Sequence, residues 1–163
     1  MWFLRRQLKS SLRDLRSEDA AECARLHALG FAFPWSPQEF EQLILSSSVI
    51  ADGAFDGDDG ALTGFVLSRM AADESEILTI ITDPVLRRRG IANGLLDRHI
   101  DRHAHHRIRS LFLEVAEDNV PAIALYKRRG FEQVGRRKGY YRAAPGANDR
   151  APVDAIVMRK QLI

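Results

Sequence analysis

The sequence predicts an α/β domain, and three stretches carry that prediction. Val49 to Phe55, Ala61 to Met70 and Ile77 to Thr82 are apolar runs joined by tight turns, which implies an antiparallel meander. Ile77 to Ile100 reads as strand, sharp turn and amphipathic helix. Ile77, Leu78, Ile80 and Ile81 suit a strand covered on both faces, and Asp83-Pro84 ends it. Ile91, Leu95, Leu96 and Ile100 then recur at helical spacing. Leu111 to Gly130 repeats the order of strand followed by helix. With 163 residues the chain has room for one domain with a full core, spanning residues 1–163, and too little for two comfortable ones.

Composition narrows the function classes. A net charge of +2 does not call for a nucleic-acid partner. The single cysteine, Cys23, cannot form a disulfide within the chain, which fits a reducing cytoplasm. No run approaches the eighteen or so apolar residues of a membrane-spanning helix, so no membrane partner is expected. Trp2 and Phe3 are a conceivable surface wedge, but a frayed or locally packed terminus is the plainer reading.

In chain order, Leu12 to Leu15 reads as a first strand. Ser17-Glu18-Asp19 opens a helix that carries Ala20, Cys23, Ala24, His27 and Ala28 inward and ends near Gly30. Cys23 reads as a small core residue, since no local base would activate it. Phe31 to Ser36 crowds Phe31, Phe33 and Trp35 around Pro34, either as a packed corner or as one wall of a groove. Ser36, Pro37 and Glu39 form a capping box, and the helix through Leu45 packs Phe40, Leu43 and Ile44. Asp56 to Gly60 is the first hairpin turn, without the ligand pattern of a calcium loop. His99 and His103 stand four apart, but no H-E-x-x-H acid lies between them. A solvated, partly cationic helix end is therefore expected, and no metal site. Leu111 to Val115 is a strand with one charge, Glu114. A carboxylate there must be paired, hydrated or functional. Asn119 caps the next helix, with Pro121 in its first turn, Tyr126 facing inward and Gly130 at its end. Phe131 to Tyr141 and Val153 to Met158 are the last strands, separated by a loop from Ala143 to Pro152.

Arg87, Arg88, Arg89, Gly90, Ile91 and Ala92 open the central helix with free N–H groups, the positive dipole end and small residues, which attracts a phosphate or pyrophosphate. Arg87-x-x-Gly90-x-Ala92 after a strand resembles the acyl-CoA pyrophosphate loop of the GNAT acetyltransferases, Q/R-x-x-G-x-G/A. LEVAEDNVPAIALYKRRGF, from Leu113 to Phe131, resembles the second half of the same enzymes: L-E-V, an asparagine, then A-x-x-L-Y-x-x-x-G-F. Within that superfamily the nearest likeness is to the RimI-type ribosomal-protein-alanine N-acetyltransferases. Phe33-Pro34-Trp35-Ser36, Glu114, Tyr126, Tyr140-Tyr141 and Asp154 to Met158 carry it. Ala92 stands where many members have glycine, which is harmless because alanine is small.

The resemblance implies the GNAT fold: a mixed, mostly antiparallel twisted sheet with helices on both faces. The strands at Ile77–Thr82 and Leu111–Val115 would run parallel and splay to admit acetyl-CoA. Ile80, Ile81 and Thr82 would pair with its pantetheine arm, Arg87 to Asn93 would hold its pyrophosphate, and Asn119 would contact it. Glu114 would act as general base on an acceptor amine, directly or through water, and Tyr126 would protonate the CoA thiolate. Phe33, Trp35, Tyr140 and Tyr141 would line a peptide groove, tipping the aromatic run toward substrate. A ribosomal protein N-terminus is the implied partner, with direct transfer in a ternary complex. A small-molecule amine acetyltransferase shares the CoA half. A non-catalytic acyl-CoA sensor would not need both Glu114 and Tyr126. RNA at Arg87–Arg89 would want interleaved aromatics, which are missing.

Overall fold

A computed structural model of the chain describes residues 10–58, 60–141 and 151–163. The expectations for Trp2 and Phe3 and for most of the loop from Ala143 to Pro152 lie outside the described residues. The strands are β1 (Ser10–Asp14), β2 (Val49–Asp56), β3 (Leu62–Ala71), β4 (Glu74–Thr82), β5 (Ser110–Ala116), β6 (Glu132–Tyr141) and β7 (Val153–Gln161). The helices are α1 (Ala20–Gly30), α2 (Pro37–Leu45), α3 (Ile91–His105) and α4 (Val120–Arg128). They build one mixed sheet in the order β1-β2-β3-β4-β5-β7-β6. Every neighbour pair is antiparallel except β4 and β5.

Strand alternation divides the core in two. Phe65, Leu67 and Ile81 face α1 and α2, where they meet Cys23, Leu26 and Phe40. Val66, Leu113, Val115 and Met158 face the other way, toward Ile91, Leu95 and Leu96 of α3 and Tyr126 of α4. Helix α3 lies unusually close to the sheet. A Cβ at Gly64 would stand 2.8 Å from the Ile81 carbonyl oxygen and near 3.1 Å from Ile91, so only glycine fits there.

Local signals set the first two helices. Ser36 Oγ accepts the Glu39 N–H at 3.2 Å and Glu39 Oε2 accepts the Ser36 N–H at 2.7 Å, the reciprocal box that starts α2. At the head of α1 the work falls to Asp19 instead of Ser17. The Asp19 carboxylate accepts the Arg16 N–H at 2.8 Å and binds Arg13 at 2.8 Å. Leu26, not Ala28, completes the inward face of α1.

The expectation of a solvated histidine pair is overturned. His99 and His103 are fully buried, on the α3 face that packs against β2, β3 and β4. His99 Nδ1–H donates to Asp52 at 2.6 Å, and its Nε2 meets Ser68 Oγ at 2.6 Å. His103 Nδ1–H donates to the His99 carbonyl at 2.7 Å, and its Nε2 meets Ser75 Oγ at 2.9 Å. Asp52, Ser68 and Ser75 sit on β2, β3 and β4 and the His99 carbonyl on α3 itself, so each ring nitrogen is spent inside the fold. Burial pushes His103 down to about 4, and burial likewise pushes His27, enclosed by Trp35, Phe40 and Phe65, down to about 4.

These shifts set an acid limit. The unfolded chain binds protons on these histidines near pH 6.5 while the folded chain does not until about pH 4, so stability is full above 6.5 and falls across that interval. Urea midpoints measured at pH 7.5 and at pH 5 should show a clear drop at the lower pH. Equal midpoints would mean that the buried histidines do not couple to folding.

Among the described residues no helix is long and apolar enough to cross a membrane.

Candidate active site

Strand β4 changes character at Leu78. Ser68 pairs with Ile77 and Leu67 with Thr79, so Leu78 is an extra residue, a β-bulge. Pairing with β5 also ends there, since the parallel ladder runs only from Glu74↔Ser110 to Ile77↔Leu113. Beyond it, Leu78 to Thr82 present to the β5 side a backbone edge with no strand partner among the described residues. A cavity of about 290 Å³ opens between the strands, lined by Leu78, Thr79 and Ile80 on one wall and by Glu114, Val115, Asn119, Tyr126 and Tyr141 on the other. This is the splay that the resemblance implies.

Each site residue can be placed in this frame. Ile80 lines the cavity, while the Ile81 side chain is buried under α1 and leaves only its backbone available. The Thr82 and Thr79 hydroxyls are both buried without a hydrogen-bond partner among the described residues. Thr79 is a residue that sequence reasoning missed; the available signal was a hydroxyl inside an otherwise apolar run.

At the far end of β4, the turn into α3 holds Arg88 at φ 63° and Gly90 at φ 78°, both left-handed. Gly90 is the N-cap and supplies no capping side chain, so the N–H groups of Ile91, Ala92 and Asn93 keep their donors free at the positive dipole end. Arg87, Arg88 and Arg89 are exposed around them. A free strand edge, a cavity and an anion-ready helix start lie along β4 in the order an elongated phosphorylated cosubstrate needs.

Glu114 is the junction. It lines the splay cavity and also a second cavity of about 610 Å³, walled by Trp35, Leu43, Leu78 and Tyr140. Its carboxylate is largely buried and ion-paired with Arg137 Nε at 3.0 Å, so the pairing that a buried acid requires comes from β6. The four aromatic candidates do not form one wall. Trp35 and Tyr140 line the larger cavity, whereas Tyr141 lies in the splay cavity beside Tyr126, because successive strand residues face opposite ways. Phe33 is 61% exposed and lines neither cavity. Trp35 is fixed by His27: its backbone N–H donates to His27 Nδ1 at 3.0 Å and the two rings stack at 4.9 Å. His27 thereby joins the site as a support.

Asn119 Oδ1 accepts the Ala122 N–H at 3.3 Å as the cap of α4, and the residue also lines the splay cavity. Tyr126 is buried, its ring edge-on to Phe131 at 5.8 Å. Burial, with Tyr141 beside it, pushes its hydroxyl above the ordinary tyrosine range, so it keeps its proton. Burial and then Glu114 push Tyr141 up to about 12. Cys23 is fully buried and its thiol is pushed up to about 12 by that burial, as an inert core residue should be.

The Acetyltransferase (GNAT) family model matches residues 14–131. The chain belongs to the GNAT acetyltransferase family. It is an N-acetyltransferase, and the family takes its acetyl group from acetyl-CoA. N-alpha-acetyltransferase RimI of Mycobacterium tuberculosis is 38% identical over 152 residues, covering 90% of this chain and 89% of the relative. The ribosomal protein bS18-alanine N-acetyltransferase of Escherichia coli K12 is 28% identical over 153 residues, covering 91% and 95%. The crystal structure of the ribosomal-protein-S18-alanine N-acetyltransferase from Escherichia coli superposes with a TM-score of 0.82 at 26% identity, covering 94% of each chain. The GNAT fold and the RimI-type likeness read from the sequence are thus both found.

Proposed function

We propose that this GNAT enzyme is an N-alpha-acetyltransferase that acetylates the N-terminal alanine of a small-subunit ribosomal protein by direct transfer from acetyl-CoA in a ternary complex. The observation that carries the reading is the position of Glu114, shared by a narrow cavity holding Tyr126 and a wider one walled by Trp35 and Tyr140. The names of the RimI relatives support the choice of acceptor.

The chemistry follows from those positions. An α-amino group titrates near pH 8 and is mostly protonated at neutral pH. Glu114 takes that proton, directly or through a water, and frees the lone pair for attack on the thioester carbon. Backbone N–H groups of β4 past the Leu78 bulge, beyond the end of the ladder to β5, stabilise the developing oxyanion. As the carbon–sulfur bond breaks, Tyr126 gives its proton to the CoA sulfur, and the second proton lost by the acylated nitrogen passes to solvent, which reprotonates Tyr126 and takes the first proton off Glu114. Cys23 is buried away from both cavities, so nothing in this route needs a covalent acyl-enzyme. Ile80 to Thr82 supply the edge for the pantetheine arm, Asn119 a side contact, and the Arg87–Asn93 turn the anion site.

Tyr126→Phe should lower kcat by about 10²-fold while leaving the affinity for acetyl-CoA near that of the parent, since the hydroxyl acts in thiolate departure. Steady-state rates paired with calorimetric titration check this, and an unchanged kcat would return Tyr126 to a core role.

The acceptor is tested by CoA release with three substrates: a peptide copying the host's alanine-first ribosomal protein N-terminus, the same peptide N-blocked but carrying lysine, and a polyamine. Turnover confined to the free N-terminus is expected. Turnover with the polyamine alone would keep the enzyme class and sink the ribosomal acceptor.

A further inference from the structure

The acceptor groove does not end at Glu114. Helices α1 and α2 cover β2, β3 and the Ile81 end of β4, and the same sheet face is open over Glu74 to Leu78 of β4 and the neighbouring parts of β5 and β7. A shallow cavity of about 380 Å³ lies there, floored by the half-buried Leu78, Phe112 and Val157 and edged by Glu74 and Glu76. It shares Arg69, Glu76, Leu78 and Glu114 with the larger cavity, so the two form one continuous track. Its charges are unequally committed. Arg137 is held by Glu114, whereas Glu74 and Glu76 are exposed and make no ion pair among the described residues. Arg69 sits opposite Glu76 in the β3–β4 register, yet no ion pair joins them. Glu39, at the other end of the track, adds a further acid.

We infer that this open sheet face is an acceptor subsite: the residues of the acceptor polypeptide following its acetylated N-terminus lie across β4 and β5, and Glu74 and Glu76 select a basic side chain among them. The inference rests on the N-terminal acceptor reading above and extends it to specificity. The occupant is set by two features. Continuity with the cavity at Glu114 makes it the same chain whose amine reacts, and the unpaired carboxylates beside an apolar floor fit a cationic side chain with an aliphatic stem. A strand lying here would meet pleated side chains instead of free backbone, so side-chain chemistry governs the choice.

The test compares two alanine-first peptides, one with lysines and one with glutamines at positions two to six, on the parent enzyme and on a Glu74→Gln/Glu76→Gln double variant. The parent should favour the lysine peptide in kcat/KM, and the preference should fall about tenfold in the variant, or about 1.4 kcal/mol. It should also shrink with added salt, as exposed charge contacts do. A Glu74→Lys/Glu76→Lys variant should instead favour a glutamate peptide, which excludes loss of fold as the cause. Turnover of both alanine peptides with a preference untouched by all these substitutions overturns the subsite and leaves the N-terminal acceptor standing. No turnover of either peptide by the parent overturns both.

Discussion

Glu114→Gln lowers kcat at pH 7 by about 10²–10⁴-fold, the range a positioned general base contributes. The substitution is conservative in shape. A glutamine carbonyl can still accept from Arg137, which lies 3.0 Å from the present carboxylate, so the groove should keep its form. What disappears is an atom able to take a proton from an ammonium group at the meeting point of the two cavities. The deficit should therefore shrink as pH rises toward 9, where the acceptor amine is already mostly free base and needs less help. Acetyl-CoA affinity should stay within about threefold of the parent, because that ligand is assigned to the β4 edge and the α3 turn. The measurement is kcat against pH for both proteins with a saturating alanine-first peptide. A variant rate near the parent's at pH 7 removes Glu114 from the base role. The Glu114–Arg137 pair would then be a structural contact between β5 and β6.

The features legible in the sequence were those fixed by neighbours a few residues away. The Ser36 box, the cap by Asn119, the glycine at 90 and the strand-turn-helix order are local, and each appears where the pattern put it. Two kinds of feature were not legible. The first is which face a residue takes after an irregularity: Leu78 is a bulge, and Tyr140 and Tyr141 part company across a strand, so neighbours in sequence serve different cavities. Phe33 and Trp35 divide similarly, because only Trp35 is drawn in by His27. The second is pairing over long sequence distance. Glu114 needed a partner, and Arg137 comes from two elements later. His99 and His103 carry the spacing of a helix face without telling which face is buried. Their partners Asp52, Ser68 and Ser75 lie 28 to 47 residues away. Asp52 lies in the middle of the run read as a strand from Val49 to Phe55, and nothing within a few residues of it tells that its carboxylate is fully buried.

That same aspartate gives the largest expected loss of stability, about 3–5 kcal/mol for Asp52→Asn, since removing one member of a buried charged cluster strands the others. Asp52 is fully buried and takes Arg98 Nε at 2.8 Å, Arg102 at 2.6 Å and His99 Nδ1 at 2.6 Å. Burial alone would raise its carboxyl, but the hydrogen bonds from His99 and Arg102 outweigh that and hold it below the usual carboxylate range. His99 is held down by burial against the pull of the aspartate, so the pair stands as an anion beside a neutral imidazole, with the two arginines balancing the charge. An asparagine leaves both guanidinium groups without their anion and offers His99 one weaker acceptor. Arg98 and Arg102 retain Asp14, which is 61% exposed and worth little by itself, and Arg102 keeps a long 3.5 Å bond to the Ala51 carbonyl. Because this cluster fastens α3 to β1 and β2, loosening it should also disturb the helix start at Gly90. Acetyl-CoA KM should then rise more than kcat falls. Urea denaturation of parent and variant at pH 7.5 measures the first effect, and steady-state kinetics at a temperature where both are folded measures the second. A stability change under 1 kcal/mol would mean that water or a neighbouring group replaces the lost charge, and that Gly64 and the apolar face of α3 suffice to seat the helix.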